Sequence, residues 1–396
     1  MTQIKKSSVR KFLFVIFLLL VFGYSLTVLL VPEMLDRQMN TTVHTAPYSV
    51  SEKASNLYQS LNFVGDLHSD TLLWQRDILE QSPYGHEDIP RMIQANMALQ
   101  AFTIVNKTPA GINFDRNTGE TDQITQLFIA QGRPIKTWFS LVERVLEQSA
   151  SLDLFSRRSE GRLSVIRSKE DLSNYLTRRE TNKEITAGFL GIEGAQALEG
   201  KLENIDVVFD AGVRMIGLTH FFDNEVGASA HGVSHAGITE FGRDAVKKME
   251  QLNILIDLSH ASPKLVDNVL SIAQNPIIVS HTGVKGTCDN VRNLSDQHLK
   301  KIADGGGLIG IAMFDQAICG ADAYAIAKAI QYTVKLIGAE HVALGSDFDG
   351  AVKTVFDVTG LPLVVEELLK LTMSEQDIRL VMGENIKRFL LANLPD

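Results

Sequence analysis

Eight short apolar runs, separated by longer amphipathic stretches, extend through the chain from residue 63 onward. They lie at 63–67, 99–105, 188–192, 215–219, 254–258, 277–280, 308–313 and 342–345. Short apolar runs that are bounded by turn residues and alternate with helical stretches are typical of parallel strands in α/β proteins. Because eight such runs favour a closed barrel over an open doubly wound sheet, we predict an α/β fold of the (β/α)8, or TIM, type.

The stretch 106–187, between the second and third runs, is too long for a single crossover helix. We expect it to carry extra helices. The segment 123–148 has the length and the apolar spacing of one such helix.

Charged or metal-binding residue types stand at the ends of six runs. The segments are Asp-Leu-His-Ser-Asp at 66–70, Gly-Ile-Glu-Gly at 191–194, Leu-Thr-His at 218–220, Asp-Leu-Ser-His at 257–260, Val-Ser-His at 279–281 and Gly-Ser-Asp-Phe-Asp-Gly at 345–350. In a (β/α)8 barrel the C-terminal ends of the strands form one shared rim, where catalytic groups lie. Residues far apart in the chain are therefore expected to meet in one site.

Composition excludes several classes of protein. The net charge of −9 argues against a surface that binds polyanions, so we expect no nucleic-acid partner. Only two cysteines occur, Cys288 and Cys319, which excludes a disulfide framework and a cysteine-rich zinc site. We expect both cysteines to be packing residues of the barrel without a chemical role.

The N-terminal segment predicts a membrane anchor. Residues 12–31 carry no charge and are long enough, at ~1.5 Å per residue, to cross a hydrocarbon layer of ~30 Å. The basic residues in 1–11 keep that tail in the cytoplasm by the positive-inside rule, so the rest of the chain is exported. We interpret 32–56 as an exposed stalk and 57–396 as the barrel domain. A cleaved signal peptide is the alternative, although its apolar part is ordinarily about 7 to 15 residues.

Four residues suggest ligands of a metal ion. His68 and Asp70 are separated by one residue, so at a strand end their side chains point to the same face. His260 and His281 each follow a separate apolar run, where a buried imidazole needs a polar partner. Each residue alone is explained more simply as a hydrogen-bonded core or surface residue, whereas the set favours a metal.

Glu193 completes this set. It follows an apolar run and is flanked by Gly191 and Gly194, so its carboxylate projects from a strand end with little cover. A buried carboxylate is unfavourable unless it is paired or bound to a metal. Its two oxygens could bridge two cations, with His68 and Asp70 on one and the two later histidines on the other. Nitrogen and oxygen donors suit zinc, and manganese, iron or cobalt remain open.

With these motifs in this order, the chain from about 57 to 391 resembles the membrane dipeptidase (renal dipeptidase) family, a branch of the metal-dependent amidohydrolase barrels. The resemblance implies a dizinc centre with a bridging glutamate. Its five ligands would be His68, Asp70, Glu193, His260 and His281.

The resemblance also implies roles for three further residues. His220 matches the histidine that binds the scissile carbonyl oxygen, Arg292 the arginine that binds the substrate carboxylate, and Asp347 the acid–base aspartate. These roles suit amide hydrolysis, which needs a nucleophile, a stabiliser of the oxyanion and an acid for the leaving amine. A hydroxide bridging the two cations would be the nucleophile, and a bidentate Arg292 would select a free C-terminus. Phe314 stands where relatives often have a substrate-binding tyrosine.

The other histidines carry weaker expectations. Four are interpreted as surface residues, namely His44, His86, His298 and His341. His231 and His235 lie in the loop after the fourth run, which would overhang the site. Asn224 shares this loop, and we predict that it contacts substrate.

The predicted function is that of a membrane-anchored zinc dipeptidase, with L,D-dipeptides among its substrates and a homodimer left open. One alternative is an amidohydrolase of the same fold that acts on N-acyl amino acids or lactones. The other is a catalytically silent barrel that binds peptides. The near absence of cysteine argues against the disulfides of secreted animal relatives. We therefore predict a bacterial inner-membrane protein with its catalytic domain facing the periplasm.

Overall fold

Eight parallel strands form a barrel at the centre of this computed structural model, with the first strand beside the last. The structure describes the backbone of residues 2–396 and the side chains from residue 9 onward. The strands are β1 (Thr41–Thr42), β2 (Val64–Ser69), β3 (Met97–Val105), β4 (Leu163–Val165), β5 (Thr186–Glu193), β6 (Val213–Gly217), β7 (Leu255–Asp257), β8 (Ile278–Thr282), β9 (Leu308–Ile311), β10 (Val342–Leu344) and β11 (Lys353–Thr354). The barrel order is β2, β3, β5, β6, β7, β8, β9, β10, and β4 pairs with β5 outside this path.

The barrel closes where the segment after β10 returns to β2. Ser69 and Phe348 form a parallel bridge, and the Asp70 amide donates to the Phe348 carbonyl at 2.8 Å. The strands coincide with the eight predicted runs to within a few residues, so the predicted (β/α)8 barrel is confirmed.

Within residues 2–396, sixteen α-helices surround or extend the barrel. They are α1 (Thr2–Met39), α2 (Glu52–Gln59), α3 (Ile89–Gln94), α4 (Gln123–Ala130), α5 (Lys136–Phe139), α6 (Leu141–Arg158), α7 (Lys169–Thr181), α8 (Glu203–Asp210), α9 (Glu240–Gln251), α10 (Pro263–Ile272), α11 (Asp296–Asp304), α12 (Asp315–Ile318), α13 (Ala323–Ile337), α14 (Pro362–Lys370), α15 (Glu375–Arg379) and α16 (Asn385–Asn393). Many begin after a Ser, Thr or Asp side chain that accepts a first-turn N–H, as Ser140 does from Glu143.

The single helix predicted over 123–148 is wrong. The structure has three helices there, α4, α5 and the start of α6. Gly132 has a φ of +65°, a left-handed conformation that ends α4, and Pro134 follows it. Proline lacks the N–H that a continuing helix needs, so apolar spacing alone overestimated the helix.

The predicted exposed stalk also differs from the structure. Helix α1 continues to Met39, and the side chains of Asp36 and Asn40 are buried against the barrel. Strand β1 then pairs with β11, about 310 residues later, and α2 packs on α14. The part of α1 from Val9 to Met39 is long and apolar enough to cross a membrane, with a mean hydropathy of 2.7 over its most apolar window.

The two cysteines contradict the expectation that they are only packing residues. Cys288 and Cys319 form a disulfide, with 5.3 Å between their Cα atoms and 31 residues between them in sequence. One lies in the loop after β8 and the other directly after α12. The number of cysteines alone could not predict this disulfide, because the two loops come together only when the barrel folds.

Two of the histidines predicted to be surface residues are buried. The His86 imidazole lies 2.9 Å from the Thr41 carbonyl oxygen, and its Nδ1 accepts from the Asp349 amide at 2.8 Å. His298 is buried near Asp267. His86 packs against segments that are distant in sequence, and His298 packs near Asp267 of another helix. The polar residues next to them in sequence therefore did not predict their burial.

Candidate metal centre

Seven of the ionisable residues predicted for the site are buried together at the C-terminal rim of the barrel. They are His68 in β2, Asp70 after β2, Glu193 at the end of β5, His220 after β6, His260 after β7, His281 in β8 and Asp347 after β10. The C-terminal ends of parallel strands meet at one edge of a barrel, so the fold alone brings these residues close to one another. We call these seven residues the floor of the site.

Glu193 lies at the centre of the floor. Its Oε1 is 3.1 Å from His260 Nε2, 3.4 Å from His68 Nε2 and 3.7 Å from His281 Nε2. Its other oxygen, Oε2, is 3.0 Å from His220 Nε2. One carboxylate therefore lies within 3.7 Å of four imidazoles, three of them on Oε1 and one on Oε2.

Three overlapping groups of donor atoms have the spacing of metal sites, with all their atoms within 4.8 Å of one another. The groups are His68, Glu193 and His281; Glu193, His220 and His260; and His68, Asp70 and Asp347. The five predicted ligands thus come together, but these groups also include His220 and Asp347. The division of these ligands between two cations stays a prediction.

A second layer of residues orients His68 for a cation. Its Nδ1 lies 2.9 Å from the Ser280 hydroxyl, which donates in turn to Asp257 Oδ2 at 2.6 Å. The Ser280 hydroxyl can therefore accept from His68 Nδ1–H, while His68 Nε2 faces Glu193. Burial lowers the pKa of His68, but Asp70 and Glu193 outweigh burial and raise that pKa well above its usual value, so a positive charge is favoured beside these carboxylates. The Nε2 atom of His68 is buried without a hydrogen-bond partner. A metal ligand whose other ring nitrogen donates to a fixed acceptor has this pattern, so the residues fit a bound cation.

Asp70 is oriented in a similar way. The Thr103 hydroxyl of β3 donates to Asp70 Oδ1 at 2.6 Å. Sequence reasoning missed the supporting roles of Thr103, Ser280 and Asp257. The last two stand next to or near the motif histidines, and this adjacency was the only available signal.

Two residues of the floor have unusual backbone conformations. His260 has a φ of +61° and Asp347 a φ of +65°, in the left-handed region that residues other than glycine rarely adopt. The Asp347 amide donates to the His68 carbonyl at 3.2 Å, and the His260 carbonyl accepts from Ala230 at 2.7 Å. Such conformations persist where surrounding contacts enforce them, and they are frequent at functional sites.

Burial shifts the pKa values of several of the floor residues. It lowers the pKa values of His220, His260 and His281 well below the usual value, so these imidazoles are neutral. Burial, together with neighbouring carboxylates, raises the pKa of Glu193 to about 7 and that of Asp347 well above its usual range. Neutral imidazoles are the form that binds metals, and a cation between the carboxylates would offset their mutual repulsion.

Arg292 reaches the same site from the loop after β8. Its Nη2 donates to the His281 carbonyl at 2.6 Å, and its Nε is buried without a partner. Burial lowers its pKa to about 10, which leaves the guanidinium charged at neutral pH. Arg292 lines the cavity above the floor, where it can bind an anionic group.

Asn224, predicted to contact substrate, does not line this cavity. Its amide nitrogen donates to Gln196 Oε1 at 3.1 Å and to the Leu218 carbonyl at 2.9 Å. Its amide oxygen accepts from the Val226 and Gly227 amides. These hydrogen bonds tie the side chain to its own loop and to Gln196.

His231 lies closer to the site than Asn224. Its ring centroid is 5.2 Å from that of His260, and its Nε2 is buried without a partner in the cavity wall. Its Nδ1 contacts the Phe114 carbonyl, and burial lowers its pKa to about 4. The sequence analysis placed His231 in the right loop without assigning it a role.

The cavity above the floor has a volume of about 720 Å³. Its charged groups belong to the floor and to Arg292, and the rest of the lining combines apolar side chains with neutral polar ones such as Gln123, Gln126 and Gln316. Three of the apolar residues, Val31, Leu35 and Met39, come from the end of α1. This size is in the range of sites for small organic ligands, roughly 300 to 1,000 Å³.

The model of the membrane dipeptidases, peptidase family M19, matches residues 51–392. The chain belongs to this family. Two relatives illustrate the match. Mouse Dipeptidase 3 is 28% identical over an alignment of 321 residues, covering 77% of this chain and 62% of the mouse protein. Dipeptidase aclJ of Aspergillus oryzae is 32% identical over 214 residues, covering 52% of this chain and 51% of that protein. The chain thus spans less than two thirds of either relative.

Solved structures share the fold. A metallopeptidase from Rhodobacter sphaeroides, solved with a phosphinate mimic of the dipeptide L-Ala-D-Ala, matches with a TM-score of 0.68 and 23% identity over 84% of this chain and 99% of that one. The probable dipeptidase PvdM from Pseudomonas aeruginosa matches with a TM-score of 0.71 and 20% identity over 87% and 98%. At these identities the likeness shows the fold alone.

Family membership confirms the resemblance stated from the motifs and agrees with a site built for metal. The roles of the individual floor residues, of Arg292 and of Asn224 stay predictions, as do the number and identity of the metals.

Proposed function

We propose that this chain is a membrane-anchored metallodipeptidase that hydrolyses the peptide bond of dipeptides. The observation that carries the proposal is the position of Glu193, whose carboxylate lies within 3.7 Å of the Nε2 atoms of four buried histidines. A cavity with a buried arginine stands directly above it. Buried carboxylate–imidazole clusters of this kind suit divalent cations of the zinc type.

The ligands that we propose for two zinc ions are His68, Asp70, Glu193, His260 and His281. Bound cations would lower the pKa of a water held between them and polarise the scissile carbonyl. Glu193 would contribute to both ions, since its Oε1 lies within 3.7 Å of the Nε2 atoms of His68, His260 and His281, which belong to both proposed ligand sets. Manganese, iron and cobalt suit the same donors.

Three other side chains would act on the substrate directly. Asp347 would accept a proton from the attacking water and deliver it to the departing amine, a role that needs an ionised carboxylate, which bound cations would favour. His220, neutral because of its burial, would donate to the developing oxyanion. Arg292 would hold the free carboxylate of the dipeptide at the far side of the cavity.

We propose that α1 anchors the chain with the barrel outside the cytoplasm. The basic residues at 5, 6, 10 and 11 support this orientation by the positive-inside rule. The Cys288–Cys319 disulfide supports it independently, because disulfides persist in oxidising compartments such as the periplasm. A bacterial inner membrane is the setting that we propose.

The test is hydrolysis of a panel of L,L- and L,D-dipeptides by the full chain in detergent, followed by mass spectrometry. N-acetylated and C-amidated versions serve as controls, each with and without chelator. We expect cleavage that is lost with chelator, restored by zinc and dependent on a free C-terminus. Cleavage of N-acyl amino acids alone would replace this proposal with the other amidohydrolase, and metal binding without any turnover would favour a silent binding barrel.

A further inference from the structure

The end of α1 forms part of the substrate cavity. Val31, Leu35 and Met39 are spaced four residues apart, so they lie along one face of the helix, and all three line the cavity. Leu35 also packs against the apolar cluster that includes Leu73 and Trp74 of the loop after β2. A helix that needs only about 20 residues to cross a membrane therefore continues for two further turns over the active site.

These residues join other apolar residues that line the cavity. We call the set the apolar wall, and its members are Val31, Leu35 and Met39 of α1, Trp74, and Ile124 and Leu127 of α4. The wall lines a cavity of about 720 Å³, to which α4 also contributes Gln123 and Gln126. A dipeptide made of two small residues would leave most of this apolar surface uncovered.

Several contacts fasten the end of α1 to the barrel. Asp36 Oδ2 lies 2.8 Å from Arg76 Nε, and the same guanidinium pairs with Asp349, two residues after Asp347. Asn40 accepts from the Ala351 amide at 2.9 Å. Higher on the helix, the Tyr24 hydroxyl donates to the Ile129 carbonyl, just past the wall residues of α4, at 3.0 Å. The wall is thus held in register with the loop that carries Asp347.

The barrel order places the α4 part of the apolar wall opposite Arg292. Ile124 and Leu127 of α4 follow β3, and the end of α1 packs beside α4, whereas Arg292 follows β8. In the order β2, β3, β5, β6, β7, β8, β9, β10, strands β3 and β8 are four places apart and therefore face each other across an eight-stranded barrel. A dipeptide whose carboxylate binds Arg292 would direct its N-terminal residue toward the wall.

We propose that the end of α1 determines specificity, so that the enzyme prefers dipeptides whose N-terminal residue has a large apolar side chain. This inference rests on the proposed dipeptidase function and names its substrate class. Val31, the first wall residue along α1, is also the last residue of the predicted membrane segment, so the proposed specificity determinant directly continues the proposed anchor.

The experiment measures kcat/KM of the full chain for an X-Ala series in which X is alanine, 2-aminobutyrate, norvaline, norleucine and 2-aminooctanoate. Burial of each added methylene predicts an increase of roughly three- to fourfold until the wall is covered. The reversed Ala-X series is the internal control, and we expect a weaker dependence there because X lies on the side of Arg292.

Two substitutions on adjacent residues separate the wall from the rest of the helix. Leu35→Ser should lower the ratio of kcat/KM for norleucyl-alanine over alanyl-alanine by roughly fivefold or more, because it places a hydroxyl in the apolar wall. Met34→Ser is the matched control, since Met34 is 56% exposed on the other side of the same helix, and it should leave the ratio unchanged. If Leu35→Ser prevents folding, Met39→Ser tests the same ratio at the exposed edge of the wall.

A flat X-Ala series in the wild-type protein, or a ratio that neither wall substitution changes, would overturn this inference while leaving the dipeptidase function in place. Absence of hydrolysis of every dipeptide by zinc-loaded protein would overturn the proposed function, and the inference with it. A rising X-Ala series that Leu35→Ser flattens and Met34→Ser preserves would support it.

Discussion

The floor and the apolar wall of the same cavity are built in opposite ways. The floor consists of charged and imidazole side chains at strand ends, and each is buried and held by hydrogen bonds or by close polar neighbours. The wall consists of apolar side chains from helices and a loop, several of them partly exposed, and half of them come from α1.

This difference separates chemistry from specificity. The floor needs its donor atoms at defined distances, and strand ends in a closed barrel supply such precision. The wall needs only apolar area of suitable shape, which helices and loops outside the barrel can provide and which can change without disturbing the floor.

A buried polar network joins the two regions. Arg76 pairs with Asp36 of α1 and with Asp349, and Asp349 Oδ2 accepts from the Thr71 hydroxyl at 2.8 Å. Glu87 completes the network, because its Oε1 lies 2.9 Å from the same hydroxyl. Helix α1 is therefore linked to both strand ends that meet at the closure of the barrel.

The largest effect is expected from Glu193→Gln, which breaks the floor at its centre. Loss of the shared negative charge should release both metals and abolish hydrolysis, as measured by elemental analysis of the dialysed protein. Glu184→Gln, an exposed glutamate just before β5, is the matched control. Retention of two metals in the Glu193 variant would exclude a bridging role.

Asp347→Asn should preserve the metals and lower kcat by about 100-fold or more, because a positioned acid–base group contributes on this scale. The measurement is kcat beside metal content, with Asp304→Asn, an exposed aspartate at the end of α11, as control. Hydrolysis at the wild-type rate would remove Asp347 from the mechanism.

Removing the disulfide tests the two loops that carry Cys288 and Cys319 rather than the floor of the cavity. The double substitution Cys288→Ser and Cys319→Ser should lower the free energy of unfolding by about 3 to 4 kcal/mol, the amount expected for a closed loop of this length. Denaturant unfolding of the oxidised wild type and the variant measures it. Metal content should not change, because neither loop contains a proposed ligand; a loss of metal would show that these loops also support the floor.

Glu87→Gln tests the network that joins floor and wall. Burial, followed by the charge of Asp349, raises the pKa of Glu87 to about 8 from 4.5. The folded state therefore retains a proton that the unfolded state loses, so the stability due to Glu87 is complete below pH 4.5 and is lost as pH rises through 8. A glutamine at position 87 does not titrate, so the variant lacks this dependence of stability on pH.

The advantage of the Glu87→Gln variant over wild type in unfolding free energy should thus grow between pH 5 and pH 8, by roughly 3 kcal/mol. Thermal or denaturant unfolding at several pH values measures the difference. A difference that is constant over this pH range would contradict a protonated Glu87 in the folded protein.

Much of the floor could be predicted from the sequence because each of its residues follows an apolar run. His68, Glu193 and His281 needed only the rule that parallel strand ends share one rim. The partners that orient them were less accessible. Ser280 carries no signal of its own, since serine before histidine is common and only the fold brings it to His68.

Predictions failed where a residue's environment comes from a distant part of the chain. His86 was predicted to be exposed because its neighbours in sequence are polar, yet it is buried by contacts with residues 41 and 349. The stalk was predicted to be exposed for the same reason. Asp36 is buried because its partner Arg76 belongs to the loop after β2.

The sequence by itself determined the barrel, the family and the residue types of the floor, because apolar periodicity and strand-end motifs are local patterns that can be recognised along the chain. Only the tertiary structure decided that Cys288 pairs with Cys319, that Asn224 is hydrogen-bonded to its own loop instead of lining the cavity, and that the end of α1 lies over the site. Each of these depends on which surfaces meet when the barrel closes, and contacts between segments up to about 310 residues apart leave no pattern along the chain.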